Sequence, residues 1–173
     1  MKGAVIMCEL KCLNSANFSS LEIKKNGRRF RLKIIYSLLF ILHVFVGMGA
    51  VAGGAMAIIN PEEPLGMSSA NLINSPFTNY LIPGMILFTV IGLGNLFSAY
   101  MFCYKSKFQG YISGVFSCGL MIWIIVQCIM LYAVGFLHIV FFIIGLVQAL
   151  LSMFILFEKR LFPTNIILKI IKN

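Results

Sequence analysis

The sequence predicts an all-α membrane protein with four transmembrane helices in an antiparallel bundle, and three observations predict it. The chain has 173 residues, of which 60% are apolar and 11% charged. Soluble domains carry roughly 25% charged residues. Four stretches, at about 34–59, 81–102, 111–134 and 137–157, hold no Asp, Glu, Lys or Arg, and each exceeds the ~18 apolar residues that mark a membrane-crossing helix. Finally, all 14 Lys and Arg residues lie in 1–33, in 103–110 or after 158, and none in 60–80 or 135–136. Positive residues are retained on the cytoplasmic side. This bias therefore puts both termini inside a cell (plasma) membrane and makes 60–80 the outer loop. It also accounts for the net charge of +9 through topology and contact with an anionic leaflet, so no nucleic-acid partner is expected.

The expected organisation is a basic cytoplasmic segment at 1–33, a transmembrane domain at 34–157 and a basic cytoplasmic tail at 158–173. Within the first segment, Lys24, Lys25, Arg28, Arg29, Arg31 and Lys33 directly precede an apolar run. Such a cluster is a candidate contact for anionic phospholipid head groups. The stretch 14–20 reads as flexible. The start is not a signal peptide, because its apolar run is short and interrupted by Glu9. Five cysteines are present, an odd number that argues against a complete disulfide framework. Cys8 and Cys12 have neither the spacing nor a neighbouring His for zinc, so no metal site is expected.

In the first apolar stretch, His43, Gly47, Ala50, Gly54 and Ala57 recur at helical spacing on one face. Gly49 and Gly53 form a GxxxG pair beside it. Small residues let membrane helices approach closely, so this is a packing face. Asn60-Pro61 ends it. The outer loop carries Glu62 and Glu63 and three prolines. Residues 67–73 are expected to form a short interfacial helix, with Phe77 and Tyr80 at head-group level.

The second stretch offers Gly94, Asn95 and Ser98. The third has Ser113, Ser117, Leu120, Ile124, Gln127 and Leu131 on one face, and the fourth has His138, Phe141, Gly145, Gln148 and Ser152. A very short turn, Gly135-Phe136, is expected between these last two helices, making them neighbours. Residues 165–172 read as an interfacial helix.

Polar groups within the membrane are the functional candidates: His43, Asn95, Gln127 and Gln148. At 1.5 Å per residue, His43 lies ~24 Å and Asn95 ~21 Å from the outer helix ends, so the two can hydrogen-bond. Gln127 at ~13 Å and Gln148 at ~18 Å are expected to meet across the last hairpin. Motifs such as HExxH and GxSxG are missing from the sequence. No catalytic residue and no cofactor are expected.

Asn60-Pro61, Leu65-Gly66-Met67, Ser75-Pro76-Phe77 and Tyr80-Leu-Ile-Pro-Gly84 together resemble a group of small bacterial four-helix integral membrane proteins of unassigned activity. These are similar in a Gly-rich first helix, an Asp-Pro turn, a PF…LIPG entry to the second helix and a Gln in each of the last two. The likeness covers residues 37–157, and Asn60 stands where the group has the acid. The resemblance implies a bacterial multi-pass architecture and no particular activity.

Two function classes follow as expectations. The first is a non-enzymatic accessory or interaction protein, whose partners are the lipid bilayer and either a second copy or other membrane proteins. The alternative is a small oligomeric channel or carrier for a small solute or ion, lined by His43, Asn95, Gln127 and Gln148. A lipid-directed enzyme would have to rely on Glu62 and Glu63.

Overall fold

A computed structural model of the chain describes residues 2–69, 72, 75–104 and 108–158. The side chains of 2–21, 23–25 and 65 are outside that description. So are Lys105 and Lys107, and all of the tail beyond Glu158, including the helix expected at 165–172. The chain divides into two compact units, Met1–Tyr36 and Ser37–Asn173.

Among the described residues the regular structure is entirely helical, and four helices are long and apolar enough to cross a membrane. Helix α1 is Lys2–Ile59, 58 residues. Its start corrects the expectation of a flexible stretch at 14–20. Nothing in the chain breaks a helix before Pro61, and the Ala, Leu, Met, Lys and Glu of this segment are good helix formers. The helix closes with Asn60 N–H bonded to the Met56 carbonyl at 3.0 Å. Pro61 then lacks the N–H needed to continue.

The 60–80 loop is tied to itself. Tyr80 N–H bonds to the Pro61 carbonyl at 2.9 Å, joining the loop's two ends. Asn60 donates from its amide to the Glu63 carbonyl at 3.1 Å, and Ser69 donates to Glu62 Oε2 at 3.2 Å. A 3-10 turn forms at Pro64–Gly66, closed by Gly66 at φ +79°, a conformation glycine adopts without strain. The helix expected at 67–73 falls partly outside the described residues. Tyr80, at the end of this loop, is buried. Its ring packs with Ala57, Leu72 and Met130, and its hydroxyl donates to the Ser68 carbonyl at 3.3 Å.

Helix α2, Leu81–Cys103, carries Pro83 in its first turn, where the missing N–H is harmless. It is not uniform: Leu87–Leu93 is π-helical. One wider turn rotates everything after it about the axis, which sets the facing of Gly94, Asn95 and Ser98. Helix α3 is Gln109–Leu131, and it ends at Tyr132, whose φ of 48° is left-handed. Helix α4 is Phe136–Glu158. The connection is therefore 132–135, longer than the two-residue turn expected, because Tyr132 leaves the helix two residues before the apolar run ends. His138 Nδ1 accepts the Gly135 N–H at 3.2 Å, satisfying a donor that the helix start leaves unpaired.

Small residues decide which helices touch. A Cβ on Gly54 would stand 2.7 Å from Phe88 N and 2.8 Å from the Gly84 carbonyl. One on Gly84 would stand 2.6 Å from Ala57 Cβ, and one on Gly47 2.7 Å from Leu96. Gly94 leaves room for Phe116, and Gly145 for Met121 and Leu120. Between them lies a core of Val46, Ala50, Ile91, Leu120, Trp123 and Ile124, with Phe141, Phe142 and Ile144 packed against it.

Candidate functional site

The polar stripes of the four helices converge on one buried cluster. His43 of α1 is fully buried. Its Nδ1 lies 2.7 Å from Asn95 Oδ1 on α2, and its Nε2 lies 2.7 Å from Ser113 Oγ on α3. Ser113 Oγ is 2.6 Å from Ser152 Oγ on α4. Every helix thus supplies one member.

Local bonds fix the roles. Asn95 donates from Nδ2 to the Ile91 carbonyl at 2.7 Å, one turn back on its own helix. That turns Oδ1 toward the imidazole, so Nδ1 carries the proton and donates. In the neutral ring Nε2 is then the acceptor of the Ser113 hydroxyl. Ser152 has two acceptors within reach, Ser113 Oγ at 2.6 Å and the Gln148 carbonyl at 2.7 Å, and one proton to give. Ser117 bonds back to the Ser113 carbonyl at 2.6 Å. The Phe102 ring lies 6.0 Å from the imidazole and tilted 33° to it.

The four members share a level. Counted from the helix ends at Ile59, Leu81, Leu131 and Phe136, His43, Asn95, Ser113 and Ser152 lie ~24, ~21, ~27 and ~24 Å along their axes at 1.5 Å per residue. The cluster runs across the helices, not along them.

Of the residues singled out in the sequence, His43 and Asn95 are joined as expected. Gln127 and Gln148 are not. The contacts of α3 with α4 pair Ser113 with Ser152 and Met121 with Gly145. This register sets Gln148 opposite Ser117 and Gln127 opposite His138, nearly three turns (~15 Å) apart. Gln148 is fully buried, yet neither its Nε2 nor its Oε1 has a partner among the described residues. The Trp123 N–H and the Ser98 hydroxyl are likewise unpartnered. Sequence reasoning placed Ser113 and Ser152 in helix stripes without assigning them to the site. The signal that would have found them is their depth, which equals that of His43.

The half of the helices next to the 60–80 loop holds a cavity of about 470 Å³. Val46, Gly53, Ala57, Leu87, Ile91, Leu120 and Phe141 contribute apolar wall, and Tyr80, Trp123, Gln127 and His138 contribute the groups with polar atoms. Of the basic cluster, Arg28, Arg29, Arg31 and Lys33 are exposed, while the side chains of Lys24 and Lys25 lie outside the described residues. Helical spacing sets 24, 28 and 31 on one face and 25, 29 and 33 beside it. Among the described residues no three His, Cys, Asp or Glu gather as metal ligands, and Cys103, Cys118 and Cys128 are free thiols.

Fold and composition together define a class: an all-helical chain compatible with a multi-pass transmembrane protein. No protein-family model, no curated protein and no solved structure matches it.

Proposed function

We propose that the chain is a bacterial plasma-membrane protein with both termini cytoplasmic, and that it works without catalysis, as an accessory or interaction protein. The bundle is read as antiparallel. Supporting this are contact pairs whose numbers run in opposite directions, Gly47 with Leu96 and Gly84 with Ala57, then Ser113 with Ser152 and Met121 with Gly145. The distribution of Lys and Arg supports the orientation.

One observation carries the functional reading. The buried imidazole is held from both sides by a transverse clasp that draws one side chain from each helix. A relay or conduction path would extend along the membrane normal, whereas these groups lie at one depth. Such bonds average ~0.6 kcal/mol in membrane bundles, so they fix register and leave the outward faces free for partners. Exposed Ile122, Ile143 and Leu150 offer such a face. Photo-crosslinkers placed at these three positions in native membranes are expected to capture a defined second chain. Recovery of monomer alone would remove the interaction reading.

The channel or carrier reading keeps one supporting observation, the unpartnered buried amide of Gln148. Cysteines at 117 and 148 should resist water-borne thiol reagents if the clasp region is dry. Rapid labelling of both from either side would favour the carrier instead.

A further inference from the structure

We infer that the outer cavity is a binding site for one acyl chain of a membrane lipid, entering from the side. This does not rest on the interaction reading above.

Shape comes first. The lining descends from the helix ends to Val46 on α1, Ile91 on α2 and Leu120 on α3, depths of ~20, ~15 and ~16 Å at 1.5 Å per residue. About 470 Å³ runs along the helix axes over a height of roughly 18 Å, an elongated space of the shape an extended hydrocarbon chain takes. The volume falls in the ~300–1,000 Å³ range of built ligand sites.

Access comes second. Gly49, Ala52 and Met56 of α1 and Leu137 of α4 line the cavity and are exposed, so it opens sideways between these helices. The solvent at that opening is the hydrocarbon of the outer leaflet. Gly53 is half-buried on the same wall, and an added Cβ there would meet only Leu87, at 3.6 Å. The space beside it is kept free by the absence of a side chain and is not closed by packing.

Polarity comes third. Near the outer end are Tyr80, Gln127 and His138, groups suited to the ester and glycerol region of a lipid. Trp123, 8% exposed, lines the cavity with its indole N–H unpartnered, about 12 Å below the end of α3 by helical rise. Its ring stands beside whatever occupies the cavity.

Trp123 is the chain's sole tryptophan, and it supplies the test. The full chain is reconstituted in phosphatidylcholine vesicles whose acyl chains carry bromine, a contact quencher of indole fluorescence, and compared with unbrominated vesicles. Trp123 should be quenched at least twofold despite its burial. In Gly53→Leu and in Gly49→Val, each of which fills the cavity, quenching should fall by at least half. A Val115→Leu control, on a lipid-facing position of α3 away from the cavity, should keep it. No quenching in the wild-type protein overturns the proposal, and this arm needs no variant to fold. Equal quenching in the filled variants and the control also overturns it, because the bromines then act from the surrounding lipid.

Discussion

The buried imidazole is the residue whose loss should cost most. Replacing His43 by Ala strands Asn95 Oδ1 and takes away one of the two partners of the Ser113 hydroxyl. With membrane hydrogen bonds averaging ~0.6 and reaching ~1.7 kcal/mol, a loss of about 1–3 kcal/mol is expected. A double-mutant cycle of His43→Ala with Asn95→Ala, read by unfolding in mixed micelles, should give a coupling within that single-bond range. Gln148 behaves oppositely. Its amide is buried without partners among the described residues, so Gln148→Leu removes an uncompensated cost and should leave stability unchanged or raise it by about 1 kcal/mol in the same assay. Tyr80 gives a pH signature. Burial raises its phenol above the ordinary value of 10.0, which means that the folded state favours the neutral form. Its contribution is complete below pH ~10 and fades as pH rises through the raised value. Tyr80→Phe, lacking the bond to Ser68, should melt lower by about 1 kcal/mol at neutral pH. The wild type should lose that lead above pH ~10.

At the scale of the element, what the sequence revealed was periodicity. The faces at His43, Gly47, Ala50, Gly54 and Ala57 and at Ser113, Ser117, Leu120 and Ile124 were legible because a stripe at helical spacing has one geometric meaning, and these residues are buried. Less legible were features that break periodicity. The π-helical turn at Leu87–Leu93 has no sequence mark beyond Gly92 and Gly94. The exit of α3 at Tyr132 takes a bulky residue into the left-handed region, where glycine would have announced it. Register across the last hairpin was missed for that reason, and with it the separation of Gln127 from Gln148. Glycines themselves divide into two kinds. Gly54 is pressed against backbone atoms of α2, whereas nothing lies within 4 Å of a Cβ on Gly119. Gly54→Ala should therefore destabilise by about 1–3 kcal/mol through overpacking. Gly119→Ala should stabilise by up to about 1 kcal/mol through helix propensity. Thermal melting of the two variants side by side checks the contrast.

For the molecule as a whole, charge placement was the easiest thing to read and the cavity the hardest. Lys and Arg act through position along the chain, which a sequence displays directly. A cavity is a space between side chains from separate helices, which it does not. Neutralising Arg28, Arg29, Arg31 and Lys33 to Gln should weaken the proposed retention of the N-terminus inside. Protease protection in sealed vesicles should then show a mixed orientation in place of a single one. The transverse clasp has a mechanical consequence as well. Helices pinned together at one height cannot slide past each other, but they can splay above the pin. Thermal motion in the helices is thus directed into the ends of α1 and α4 that adjoin the cavity, as in the jaws of a clothes-peg. Backbone amide exchange should be slowest around Asn95 and Ser113 and rise steadily toward Ala57 and Leu137, with the cavity's width as the coordinate that fluctuates.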